Sequence, residues 1–165
     1  MSTEKYHELK KRYNTLTEEN EKIDCLLDIV LEIRNYDIDE AQQLSDEILE
    51  RSRKINYKMG ECRGLNNKGA IYWLKGEYDK GLDTLREAQK MAKEYGFDAI
   101  KARIYINFGN IHRDLGDLSN ASKYYQWALE INEELGDELA QASVLISISN
   151  LHFDLLDYEN ALDYA

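Results

Sequence analysis

Proline is absent from the 165 residues, glycine numbers only 9 and cysteine only 2. At an average usage of about 5%, roughly eight prolines would be expected. Without them, and with so little glycine, collagen-like and low-complexity readings are excluded and uninterrupted helices are favoured. Cys25 and Cys62 sit in helical patterns with no CxxC spacing. They read as small apolar residues of a reducing compartment, not as a disulfide or metal pair. Long apolar runs are missing too: none approaches the roughly 20 residues that span a bilayer. The N-terminus, MSTEKYHELKKRY, is charged where a signal peptide would be apolar. A cytoplasmic chain with no membrane partner is expected. Basic residues are also short, 21 Lys+Arg against 32 Asp+Glu, for a net charge of −11. That sign opposes phosphate attraction and argues against a nucleic-acid partner. What is present is a 43% apolar share, enough for a core.

The chain repeats itself at a step of forty residues. GAIYWLKGEYDKG (69–81) superimposes on GNIHRDLGDLSNA (109–121) and on SNLHFDLLDYENA (149–161). Small residues stay in register: Gly69, Gly109 and Ser149; Gly81, Ala121 and Ala161; Ala88 and Ala128; Gly96 and Gly136. Large apolar residues fill the columns between them, with Leu65, Tyr105 and Leu145 in one, Ile71, Ile111 and Leu151 in another, and Tyr78, Leu118 and Tyr158 in a third. Antiparallel helices approach to about 8–10 Å only where one offers a small residue to the other's bulky one. Each repeat therefore reads as a helical hairpin, turning at Gly76 or Gly116 and ending at Gly96 or Gly136. Asp98 and Asp137 are placed to cap the helices that follow. Leu156 replaces the turn glycine in the last unit, so a different turn is expected there.

Upstream, Ile23, Leu26, Val30 and Ile33 form one apolar face and Ala41, Leu44, Ile48 and Ile55 another. Asp37 and Glu40 have capping-box spacing. These features mark residues 20–57 as a degenerate first repeat, with Ile29 where glycine would stand. Residues 1–19 hold a short charged helix suited to covering an array's end. The domain expected is a single one over 1–165, with repeats at 20–57, 58–97 and 98–137 and a shortened one at 138–165.

This pattern resembles the tetratricopeptide repeat, through Leu65, Gly69, Tyr72, Gly81, Leu85 and Ala88 and again through Tyr105, Gly109, Ala121, Tyr125 and Ala128. The resemblance covers about residues 20–165 and is to a long, forty-residue variety. It implies an all-α, right-handed superhelical solenoid of antiparallel helix hairpins that binds proteins. Lys68 departs from the pattern, standing in the column of Phe108 and Ile148. Its stem is expected to lift the ammonium to solvent. Residues 24–57 resemble the first unit of amino-terminal repeat arrays in bacterial signalling proteins, where cyclase, histidine kinase or regulator domains follow.

In such a solenoid the first helix of each pair lines the concave side. The outward positions are Arg63, Asn66, Asn67, Ala70, Trp73 and Leu74; then Arg103, Ile106, Asn107, Asn110, Arg113 and Asp114; then Ser143, Ile146, Asn150, Phe153 and Asp154. Carboxamides at Asn67, Asn107, Asn110 and Asn150 can meet both the donors and the acceptors of an extended peptide. Trp73 and Phe153 would anchor it, and Arg63, Arg103 and Arg113 would pair with acidic side chains. The alternative is that these asparagines bond neighbouring helices. Repeats that clamp a chaperone's terminal carboxylate use a lysine where this chain has Asn66 and Ile106, so that clamp is not expected. The acids of the second helices, such as Glu87, Glu94, Glu130, Glu133 and Glu134, read as a solvated face.

No catalytic arrangement, cofactor loop or metal-ligand spacing is legible, and His112 and His152 read as packing residues. The expectation is a non-enzymatic module, without metal or cofactor, that receives a peptide or helix of a partner protein. The alternative is a regulatory domain of a bacterial signalling protein acting through self-association. Because the segment from Asp157 to Ala165 is shorter than its counterparts, the chain is expected to be a fragment that self-associates through residues 138–165.

Overall fold

The computed structural model describes the backbone of residues 2–163 and the side chains of residues 4–155. Over these residues the chain is all-α. The helices are α1 (Ser2–Thr15), α2 (Glu19–Ile33), α3 (Ile38–Lys54), α4 (Lys58–Leu74), α5 (Tyr78–Tyr95), α6 (Asp98–Asp114), α7 (Leu118–Leu135) and α8 (Glu138–Asp163). They pack as sequential antiparallel pairs. Contacts gather them into two compact units, Met1–Phe97 and Asp98–Ala165.

Residues that reach a left-handed backbone set the turns. Gly76 (φ 72°) follows α4, Gly116 (φ 77°) follows α6, and Gly96 and Gly136 (φ 70° and 67°) close α5 and α7. Asn56 (φ 57°) does the same after α3, forty residues before Gly96. Asparagine is among the few side chains that tolerate this region, and the sequence reading did not single it out. Asp37 Oδ1 accepts from Glu40 N at 2.9 Å and Asp137 Oδ1 from Ala140 N at 3.0 Å, as the capping pattern predicted. Asp98 departs from it: it lies inside the first turn of α6 and takes Lys101 Nζ at 2.5 Å. The expected turn at Leu156 is not made. The α8 backbone runs unbroken from Glu138 to Asp163, because leucine favours the right-handed helix that glycine so readily leaves. The column members Tyr158 and Ala161 lie outside the described side chains.

In the first unit, α4 is the centre, packed by α2, α3 and α5. It buries residues nearly all round, among them Cys62, Gly64, Leu65, Gly69, Ala70 and Ile71. A Cβ on Gly64 would lie 3.0 Å from Ile48 and Leu49 of α3, and one on Gly69 would lie 2.6 Å from Leu85 of α5. Glycine thus admits a neighbouring helix on two sides. The core at the other end gathers Ile23, Leu27, Ile29, Val30, Ala41, Ile48 and Ile71. On it α1 lays Tyr6, Leu9 and Tyr13, while its charged side meets water. Tyr6 Oη donates to Glu40 at 3.0 Å, and Arg51 Nη1 donates to Tyr13 Oη at 2.7 Å, tying α1 to α3. Glu61 is buried between Arg53 (2.8 Å) and Lys58 (3.1 Å). Burial pushes its carboxyl up, but the two cations outweigh that and hold it below its ordinary value.

In the second unit, α7 packs on both α6 and α8. Its core joins Ala121, Tyr125, Ala128, Val144 and Leu151, with Tyr105, Ile106, Leu118, Leu129 and Ile148 around them. Tyr125 is wholly buried, and a Cβ on Gly109 would lie 2.7 Å from its Cδ1. Gly109→Ala should therefore force the fully enclosed ring aside, at a cost of about 1–3 kcal/mol. The measurement is a urea midpoint followed by circular dichroism. An unchanged midpoint would show that this contact does not set the spacing of α6 and α7.

Candidate functional site

The forty-residue register places the expected partner-facing residues on α4, α6 and α8, and their burial sorts them. Asn66, Asn67 and Asn107 are only 7%, 5% and 8% exposed, and Ala70 is buried. The expectation that these positions face outward is corrected: glycine-rich α4 sinks so deep among its neighbours that Asn66, Asn67 and Ala70 are interior, and on α6 Asn107 is interior as well. Arg63 is also held within its own unit, with Nη1 2.7 Å from Asp24 and Nη2 3.5 Å from Asp28. Tyr57 Oη donates to the same Asp24 at 3.0 Å. Trp73 is half-buried and Arg103 exposed.

Asn110 is half-buried, and its Oδ1 accepts from Tyr125 Oη at 2.7 Å. Here the neighbouring-helix reading of the asparagines holds. The bond gives a buried phenol its acceptor, and burial pushes Tyr125 up to about 12. His112 likewise bonds within its unit, its Nδ1 3.1 Å from Asp117 Oδ2 and its ring stacked on Tyr124. Lys68 reaches Asp46 of α3 at 2.5 Å, so its stem carries the ammonium to an ion pair where open solvent was expected.

The remaining residues converge. Arg113 of α6 and Asn150 and Phe153 of α8 line one open concavity of about 420 Å³, together with Asp114 and Asp154. Arg113 Nη2 is 3.3 Å from Asp114 Oδ1, and its Nε is 3.8 Å from Asp154 Oδ2. Asn150 is exposed and Phe153 is 65% exposed. The site therefore offers an apolar ring, a carboxamide and a guanidinium flanked by two carboxylates. That combination can bury an apolar side chain while bonding backbone amides. α8 also exposes Leu139 (84%), Leu145 (50%) and Ile146 (63%).

A cluster that the register did not reveal joins α6 to α7. Phe108 stacks on Tyr124 with centroids 5.0 Å apart, and Trp127 meets Tyr124 edge-on at 5.4 Å and Tyr105 at 5.5 Å. Its trace in the sequence is the pair Tyr124 and Trp127, three apart on a helix, at a place where the preceding repeat has Thr84 and Glu87. Both cysteines are free and buried, and burial pushes the Cys62 thiol up to about 12. Among the described residues, no group of three or more His, Cys, Asp or Glu could hold a metal ion. Among them, too, no helix is long and apolar enough to cross a membrane.

Comparison with known proteins agrees with the hairpin architecture. The family described as the tetratricopeptide repeat matches residues 60–134 and again 101–165. "Heat shock protein STI1" of Saccharomyces cerevisiae is 32% identical over 85 residues, which is 51% of this chain and 14% of that protein. The crystal structure of BtubC (BKLC) from P. vanneervenii is similar with a TM-score of 0.70 at 21% identity, covering 97% of this chain and 66% of that one. The apo form of RapI is similar with a TM-score of 0.66 at 18% identity, covering 96% and 45%. The chain thus spans only part of each of these proteins, and at such identity the two structures speak for the fold.

The Asn110–Tyr125 bond makes a prediction of its own. Asn110→Ala should cost about 1–3 kcal/mol, because the buried phenol loses its acceptor. Adding Tyr125→Phe should recover part of that loss by removing the orphaned hydroxyl. A double-mutant cycle on urea midpoints checks it, and strict additivity of the two losses would rule out the bond as a stabilising contact.

Proposed function

The chain belongs to the tetratricopeptide repeat family, whose modules generally act in protein–protein interaction, and from that premise we propose that it receives a peptide or helix of a partner protein at the α6–α8 concavity. The observation that carries this reading is Phe153, a large ring 65% exposed beside the exposed carboxamide of Asn150 and the guanidinium of Arg113. Phe153 is the apolar anchor, Asn150 bonds the backbone of an extended ligand, and Arg113, held by Asp114 and Asp154, turns its remaining N–H groups to the ligand's carbonyls. Arg103, exposed on the same helix, adds a second cation for the ligand. The asparagines of α4 and the buried Asn107 hold the scaffold and do not read the ligand.

We further propose that the protein is non-catalytic and works in the cytoplasm. Two buried groups that could otherwise serve as nucleophiles support the first half. Cys62 and Tyr125 are pushed to about 12, so at neutral pH neither supplies a thiolate or phenolate nucleophile. Glu61 is depressed by its cations, away from the range useful to a general acid.

A second reading has its own observation. α8 exposes Leu139, Leu145, Ile146 and Phe153, and between Leu139 and Phe153 no charged residue occurs. In a chain of net charge −11, this is a surface on which two copies can meet without opposing carboxylates. That suits the regulatory domain of a signalling protein acting through self-association.

Two measurements test these readings separately. Peptides selected from a random displayed library on the immobilised protein should bind at least about fivefold more weakly to Phe153→Ala, and more weakly to Asn150→Ala, with helicity unchanged. Selected peptides indifferent to both substitutions would remove the concavity from the argument. Sedimentation velocity at high micromolar concentration should show a dimer that Ile146→Asp dissociates. A monomer throughout would end the self-association reading and leave the peptide reading standing.

A further inference from the structure

The aromatic cluster of the second unit is not all used for packing. Tyr124 is half-buried between Phe108, His112 and Trp127, whereas Trp127 stays 44% exposed. Its ring and that of Tyr105 stand 5.5 Å apart at an interplanar angle of 51°, so two π-faces form an open corner. With Lys101, Glu130 and Ile131 they line a depression of about 250 Å³, room for one side chain. It shares no residue with the α6–α8 concavity, and nothing below rests on that site.

The charges around the corner are uneven. Glu130 follows Trp127 by three residues and Glu134 by seven, so both carboxylates share its face of α7, and both are exposed. Glu130 Oε1 accepts from the neutral amide of Gln126, at 3.4 Å. Lys101, the cation in the lining, is drawn away to Asp98 at 2.5 Å, one turn nearer the start of α6. The corner therefore presents two electron-rich faces and a carboxylate that has no cation partner among the described residues, on a chain of net charge −11.

We propose that this corner receives the guanidinium of an arginine from a basic partner segment. A planar cation lies flat on an indole or phenol face, attracted by the ring quadrupole, and keeps its edge free for a carboxylate. Trp127 and Tyr105 supply the faces, and Glu130 takes the N–H fork. An ammonium, compact and strongly hydrated, fits the angle less well, and an apolar side chain leaves Glu130 partly desolvated with nothing in return. The acidic field of the second helices brings such a segment in.

The test titrates the protein with N-acetyl-arginine amide, its citrulline counterpart and the blocked lysine amide, following the indole N–H resonances of Trp73 and Trp127. Contacts of this kind are weak, so concentrations up to about 50 mM are required. The arginine probe should move Trp127 and leave Trp73 in place, the citrulline probe should move neither, and added salt should weaken the response. Glu130→Gln should weaken binding by about twofold to fivefold. Trp127→Phe should keep much of the response seen in α7 backbone amides, and Trp127→Ala should abolish it. If Trp127→Ala unfolds, Glu130→Gln decides alone. An immobile Trp127, an equal response to citrulline, or indifference to Glu130→Gln overturns the proposal. Equal affinity for the lysine probe overturns the assignment to arginine.

Discussion

A glycine seated under a large side chain is the contact on which the rest depends. Leu85 lies against Gly69 and Tyr125 against Gly109, at the same step in successive repeats. A methyl group at either glycine would stand well inside van der Waals distance, so helix spacing is fixed by the absence of a side chain. From this follows the burial of Tyr125, and from that the need for an acceptor on its hydroxyl, which Asn110 meets. A polar residue that the repeat pattern offers to a partner is thereby given to the scaffold.

Much of the fold was legible because the signals were steric and periodic. The forty-residue step, the small-residue columns and the turn glycines need only residue size and backbone freedom to interpret. Leu156 was seen as a departure, but the sequence could not say that α8 would continue straight through it. Asn56 escaped notice because asparagine's tolerance of a left-handed backbone shows only once the turn is seen. The site was harder. Helical periodicity tells which side a residue leaves its axis from, not how deep that axis lies. α4 is enclosed by α2, α3 and α5, so Asn66, Asn67 and Ala70 became interior although their register was read correctly. Arg63 was lost to Asp24 and Asp28, pairings across some 39 and 35 residues that no local pattern announces. Arg113, Asn150 and Phe153 stay at the surface of one open concavity between α6 and α8, which brings them together.

Charge and burial divide the labour in this chain. Acidic side chains crowd the exposed faces of the second helices, where water screens them, and Glu61, the one buried carboxylate among the described residues, is held by two cations. Rings reach the surface in several places among the described residues, and the two proposed for recognition are Phe153 in the concavity and Trp127 at the corner of α6 and α7. Each has polar companions close by, so each can discriminate as well as adhere.

Both thiols, Cys25 and Cys62, lie in the first unit at 0% exposure, and burial raises each above its ordinary value. Among the described residues the second unit carries none. A thiol-reactive dye added to the native protein thus has nothing to attack until α2 or α4 parts from its neighbours. Its labelling rate becomes a built-in clock for the opening of the first unit.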